Sequence, residues 1–126
     1  MMPELVWNET DFLEYFEVEP SIGDYEEEYH YVVLRLPLRL ELAVYPYTGD
    51  IYISVFCTSF EKAIIDIVMQ NCPGARMVKD QRGNFVEFAA ANCFSSRYRR
   101  YDGESVIPYG VRLMVNPHIR VELFPG

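Results

Sequence analysis

The densest run of side chains able to do chemistry is Ser95-Ser96-Arg97-Tyr98-Arg99-Arg100-Tyr101. Arginine interleaved with tyrosine joins charge neutralisation to ring stacking, the chemistry of a phosphate or single-stranded nucleic-acid site. On an extended strand, however, Arg97 and Arg99 project to one side while Tyr98 and Arg100 project to the other, which divides the charge. Three destinations compete for this cluster. It can hold an anionic small molecule, pair with acidic groups elsewhere in the chain, or form a charged edge that resists strand pairing.

The opposite charge is concentrated at the other end. Residues 1–30 carry ten carboxylates and no Lys or Arg, whereas residues 31–126 carry nine acids and all eleven bases. The net charge of −8 therefore belongs wholly to the first quarter. Such a field repels nucleic acid and anionic lipid and attracts basic protein surfaces. Glu14, Glu17, Glu19, Asp24, Glu26, Glu27 and Glu28 are interleaved with aromatic residues, among them Tyr25, Tyr29 and Tyr31. Tyrosine is enriched where proteins meet, so this segment is a candidate partner-binding surface as well as a solubilising one.

Catalytic and metal signatures do not accompany these clusters. The chain has no GxSxG elbow, GxxxxGK[ST] loop or GxGxxG fingerprint. Cys57, Cys72 and Cys93 form no CxxC pair, and His30 and His118 form no HxH or HExxH arrangement. Three cysteines beside apolar neighbours read as small core residues in a reducing, cytoplasmic compartment. Asp66, set in the run Ile64-Ile65-Asp66-Ile67-Val68, marks either a raised-pKa carboxylate or, more simply, a solvent-facing position. Neither a catalytic residue, a metal nor a cofactor is called for, and a non-enzymatic protein is expected.

The elements that must position these groups are mostly strands. A chain of 126 residues, half of them hydrophobic, is expected to fold as a single domain over 1–126. No apolar run reaches the roughly 18 residues of a membrane span, and no basic-then-apolar signal opens the chain. Thr10 followed by Asp11-Phe12-Leu13-Glu14-Tyr15-Phe16 predicts a short capped helix over 10–16, with Phe12, Leu13 and Phe16 facing the core. A β-rich body over 29–124 follows. Val32, Leu34, Leu36, Leu38, Leu40, Leu42 and Val44 share one parity, which predicts one buried face. Pro37 makes this either two strands hinged there or one broken edge strand, whose open edge near Pro37 is a candidate for self-pairing. Residues 58–71 fit a helix stripe or a strand, and the β-branched density favours a strand over Ile64–Gln70. Turn chemistry at Tyr45–Asp50, Asp80–Asn84, Asp102-Gly103 and Pro108–Gly110 separates further strands. The expected fold is mainly β, α+β at the margin: an antiparallel sandwich or half-open barrel with one short N-terminal helix.

The order of Phe16-Glu17-Val18-Glu19-Pro20, then Tyr45-Pro46-Tyr47 with Gly49-Asp50-Ile51, then Pro117-His118-Ile119-Arg120-Val121 resembles small acidic β-rich bacterial proteins of the immunity type, from polymorphic toxin systems. The resemblance implies a non-enzymatic cytoplasmic protein that binds a partner tightly, and it transfers no catalytic residue. Two function classes follow. One is a protein-binding module acting through residues 14–31 on a partner with a basic surface, such as a toxin. The other is a β domain that binds an anionic small molecule through Arg97, Tyr98, Arg99 and Arg100.

Overall fold

The computed structural model describes residues 5–94 and 101–125. One helix, α1 (Glu9–Phe16), precedes nine strands. A five-stranded antiparallel sheet runs in the order β1 (Ser21–Ile22), β2 (Tyr29–Arg35), β3 (Leu38–Tyr45), β4 (Asp50–Cys57) and β5 (Ile65–Met69). A four-stranded antiparallel sheet runs β6 (Ala75–Asp80), β7 (Gly83–Ala89), β8 (Gly110–Met114) and β9 (Arg120–Phe124). Among the described residues the two sheets do not join into a barrel. The sandwich alternative holds, and strand order follows chain order in each sheet.

The helix starts one residue earlier than Thr10 predicts. Asn8 is the cap, its side-chain oxygen accepting from the Asp11 amide at 3.0 Å. The buried side chains of α1 are Phe12, Tyr15 and Phe16, whereas Leu13 is exposed. An i, i+3, i+4 triplet places these three on one face. Phe12 lies edge-on to Phe88 of the second sheet at 6.0 Å and tilted against Tyr31 of the first at 6.1 Å. Phe12 thus touches both layers at once.

The alternation over 32–44 resolves into a hairpin. Arg35 pairs with Leu38, so Leu36-Pro37 is a two-residue connection between β2 and β3. Antiparallel partners here have odd and even numbers, as in Val33↔Leu40 and Tyr31↔Leu42. The buried parity therefore switches across the turn. Tyr29, Tyr31 and Val33 are buried with Leu40, Leu42 and Val44, whereas Val32, Leu34 and Leu36 are 42%, 57% and 80% exposed. The single buried face predicted from Val32 to Val44 is thus corrected: a reversal inverts which residues face inward. β3 is interior to the sheet, whereas β1 pairs only with Tyr29 and His30, so the Tyr31–Arg35 part of β2 that leads to Pro37 lies at an edge.

Residues 65–69 form a strand, and the helix reading of 58–71 is set aside. Asp66 is exposed and accepts from the Ser54 hydroxyl at 3.0 Å on the outer face. The β3–β4 turn closes on Gly49, whose φ is +78° and whose carbonyl accepts from the Cys72 amide at 2.8 Å. A Cβ there would stand 2.7 Å from the Cys72 carbonyl oxygen, so only glycine fits without displacement.

The main core cluster joins the two sheets, and a smaller one gathers Ala89, Tyr101, Ile107 and Phe124. Leu40, Leu42, Ile51 and Ile53 from the first sheet meet Val86, Phe88 and Leu113 from the second, all at 0% exposure. On the outer face of the second sheet, paired register sets Arg76, Glu87, Arg112 and Glu122 in one row across four strands. Glu87 is only 3% exposed and accepts from Arg76 Nε at 3.2 Å and Arg112 Nε at 2.9 Å. Two flanking guanidiniums make that burial tolerable. Individual charges along the chain gave no sign of this row, because only the register aligns them.

Candidate protein-binding surface

Between β1 and β2 the chain makes a tight 3-10 turn, Asp24–Glu26. The amide of Gly23 donates to the Glu28 carbonyl at 2.8 Å, closing the loop at its base. Tyr25 and Glu26 at the tip take φ values of 59° and 56°, in the left-handed region that costs a non-glycine residue roughly 1–2 kcal/mol. The result projects the Tyr25 ring outward at 91% exposure, with exposed Asp24, Glu26 and Glu27 around it. A large aromatic side chain so displayed, on backbone held by hydrogen bonds, is a rigid amphipathic contact with little side-chain entropy to lose.

The β3–β4 hairpin supplies the rest of this surface. The Tyr47 hydroxyl donates to the Tyr25 carbonyl at 3.4 Å, and Tyr47 is itself 45% exposed. Tyr45 lies beside the half-buried Glu28 carboxylate; burial and this anion both push its phenol up. Its ring is edge-on to Tyr52 at 5.5 Å, and Tyr52 pairs across the ladder with Ala43. Four tyrosines and the acids of 24–28 thereby form one acidic aromatic patch at this end of the first sheet.

The segment 14–31 is not one surface. Tyr29 and Tyr31, at 6% and 1% exposure, belong to the core and are withdrawn from any partner. The Glu9 carboxylate near the Tyr29 hydroxyl, with burial, raises the pKa of that phenol. Burial likewise raises the pKa of Tyr31. Glu14 and Glu17 lie apart from the Tyr25 patch, on a groove of about 710 Å³ beside α1, with Asp11, Met77, Asn84 and Pro117. Glu17 takes a left-handed cap conformation, its amide donating to the Leu13 carbonyl at 3.0 Å, and Glu19 is exposed beyond it. The structure brings together Asp24, Tyr25, Glu26, Glu27 and Glu28 and sets Glu14, Glu17 and Glu19 on the flank.

Tyr45, Tyr47 and Tyr52 were missed as site residues. Tyr52 carried a signal, since it alternates with the buried Ile51 and Ile53 and so must face outward. The partnership of the Tyr45–Asp50 turn with the Asp24–Glu28 loop carried none. Arg97, Tyr98, Arg99 and Arg100 lie outside the described residues. His30 Nε2 sits 3.3 Å from Glu41 on the outer face, and His118 is exposed. Cys72 is buried, while Cys57 and Cys93 are half-buried, and all three are free thiols. Among the described residues no three His, Cys, Asp or Glu side chains gather as a metal site. No helix among them is long and apolar enough to cross a membrane.

The described residues define a two-sheet antiparallel β sandwich with a bridging N-terminal helix and an acidic aromatic end. No protein-family model matches the chain, and no curated protein matches it. Among solved structures, the fold is shared with a chain of the contact-dependent growth inhibition toxin–immunity protein complex from Klebsiella pneumoniae 342. The TM-score is 0.74 at 16% sequence identity, over 98% of this chain and 97% of that one. The resemblance to immunity-type proteins read from the residue order thus has a counterpart in fold.

Proposed function

We propose that this protein is a non-enzymatic, cytoplasmic binding module of the immunity type, which neutralises a toxin by docking on it through the acidic tyrosine patch. The observation that carries the reading is Tyr25, 91% exposed on a hydrogen-bonded loop between Asp24, Glu26 and Glu27. The shared fold with a chain of a toxin–immunity complex supports the class of partner. A partner with a basic surface is favoured by the charge. Complementary fields accelerate encounter, while buried aromatic side chains slow dissociation. Glu14, Glu17 and Glu19 lie to the flank, where charges act chiefly on the association rate.

The test begins with recovery of the partner from the native cytoplasm on the tagged chain. Its association and dissociation rates are then measured against wild type and variants. Conversion of Glu26, Glu27 and Glu28 to Gln is expected to slow association severalfold at low salt. The difference should narrow as salt rises, because the Debye length is only ~8 Å at physiological ionic strength. Unchanged rates in this triple variant would sink the assignment of the surface.

A further inference from the structure

The two sheets of the sandwich end in four open edges, and three are protected. β1 covers only Tyr29 and His30 of β2, and the rest of that edge ends in Arg35 and the Leu36-Pro37 turn. β6 is covered at its start by Val6, whose carbonyl accepts from the Ala75 amide at 3.0 Å, and it ends in Lys79 and Asp80. β9 alternates Arg120 and Glu122 between apolar residues and is bracketed by Pro117 and Pro125. Short length, cover, charge and proline are the devices that stop edges from pairing. Among the described residues, β5 has no such cover and no proline. Its sequence is Ile65-Asp66-Ile67-Val68-Met69, and the one charge, Asp66, is held on the outer face by Ser54.

The interior is also unfinished at this edge. Ile65, Ile67 and Met69 pair with the fully buried Val55, Ile53 and Ile51 and so point into the sandwich. Yet Ile65 is 37% exposed, and Ile67 and Met69 are only partly covered. The second sheet thus leaves the inner face of this last strand partly uncovered. Whatever completes it must be an extended strand with apolar side chains at alternate positions.

We infer that β5 pairs antiparallel with β5 of a second copy of this chain, extending two five-stranded sheets into one. A two-fold axis through Ile67 sets Ile67 against Ile67 and Ile65 against Met69, so every inward contact is apolar to apolar. Asp66 then faces Val68 and never the other Asp66, which avoids like charges directly opposite one another. The charge of the chain fits the same axis. Met69 lies at the Asp50 end of the ladder, and antiparallel pairing sets that end beside the Ile65 end of the other copy. The two acidic tyrosine patches thus point to opposite ends of the joint sheet. Both stay open, so the inference is independent of which partner they meet.

The test is the mass of the full chain by sedimentation velocity from ~1 µM to ~0.5 mM, since a weak dimer is governed by protomer concentration. The expected result is a rise from 14.8 kDa toward twice that value. Ile65→Lys, at a position already 37% exposed, should hold the chain at monomer mass with its circular dichroism and melting curve intact. As a second readout, Ile67→Cys in a Cys57→Ser, Cys93→Ser background should oxidise to a covalent dimer. Facing residues of an antiparallel pair lie within disulfide reach, about 4.5–5.5 Å between Cα atoms. A monomer at every concentration, which would leave the edge to a strand of another protein, overturns the inference. So does a dimer that persists in a folded Ile65→Lys variant.

Discussion

The phenol of Tyr15 donates to the main-chain carbonyl of Asn84 at 2.6 Å and so ties helix α1 to the start of β7. The same oxygen accepts from the Val115 amide at 3.1 Å, beyond the end of β8. Val115 is fully buried, so its amide has no water to turn to if the hydroxyl is removed. Tyr15→Phe should therefore destabilise the fold by about 1–2 kcal/mol, the cost of an orphaned buried donor with little loss of packing. Denaturant unfolding measures it. A variant as stable as wild type would mean that the helix is held by its apolar face alone.

Glu87 offers a sharper contrast. It sits between Arg76 and Arg112 at 3% exposure, and both guanidiniums are themselves largely covered. Removing the carboxylate leaves two cations facing one another across the sheet. Glu87→Ala should cost about 3–5 kcal/mol, as when one partner of a buried pair is lost. The additional change Arg112→Leu should recover part of it, because Arg112 also stacks on Phe124 at 4.4 Å and an apolar side chain keeps some of that contact. A double variant no better than the single one would show that packing, not charge, sets the cost.

Much of the fold was legible because strand periodicity is a local property. Ile51, Ile53 and Val55 against Tyr52, Ser54 and Phe56 announce β4 with its correct face, and the β-branched residues of 64–68 favour strand over helix. What failed did so at a reversal. Val32, Leu34 and Leu36 share parity with Leu40, but the Leu36-Pro37 turn inverts the strand, and parity carries across a hairpin only when the loop length is known. The helix cap moved from Thr10 to Asn8 because both residue types can cap and only backbone geometry chooses between them. The site divided for a similar reason. Acidity along residues 9–28 is a property of the chain, whereas the patch also needs Tyr45, Tyr47 and Tyr52 from the neighbouring hairpin. Tyr29 and Tyr31 read as surface residues from their acidic neighbours, yet strand alternation makes them core.

Asp102 predicts a defined pH dependence. Its carboxylate accepts from the amides of Glu104 at 2.9 Å and Ser105 at 2.7 Å and from the Ser105 hydroxyl. These bonds, that of the Ser105 side chain first, lower its pKa from 3.8 to about 2. A depressed carboxyl stabilises the fold fully above its unfolded value. The contribution fades as pH falls from about 4 and is gone below about 2. Asp102→Ala should therefore be less stable than wild type at neutral pH, with the gap closing across that window. Unfolding at a series of pH values reads it, and a gap constant down to pH 2 would deny the turn its ionic character.

Two of the three thiols, Cys57 and Cys72, should react in a fixed order. Burial pushes Cys72 up to about 12, whereas the Ser59 side chain and amide lower Cys57. Thiolate fraction and access both favour Cys57, so iodoacetamide at neutral pH should label it well before Cys72. Mass spectrometry of peptides from a short alkylation follows the order directly. Labelling of Cys72 at the same rate would mean that the β5–β6 connection opens readily.

Tyr25 separates stability from recognition, because the two effects of one substitution have different sources. Its φ of 59° strains any side chain, so Tyr25→Gly relieves local strain while widening the conformations open to the unfolded chain. Those contributions oppose each other, and the ring, at 91% exposure, buries almost nothing within the fold. The melting temperature should therefore shift by no more than a degree or two. If the ring is the central contact of the patch, losing it removes an aromatic anchor, and such anchors cost 2 kcal/mol or more when truncated, roughly 30-fold in Kd. The loss should fall on dissociation rather than association, since no charge has changed. Glu26→Gln should do the reverse, slowing association with little effect on complex lifetime. Two variants on neighbouring residues, with opposite kinetic signatures and unaltered folding, would assign anchoring to the tyrosine and steering to the acids. If Tyr25→Gly bound like wild type, the strained tip would be a structural feature of the turn, and the contact surface would lie elsewhere on the chain.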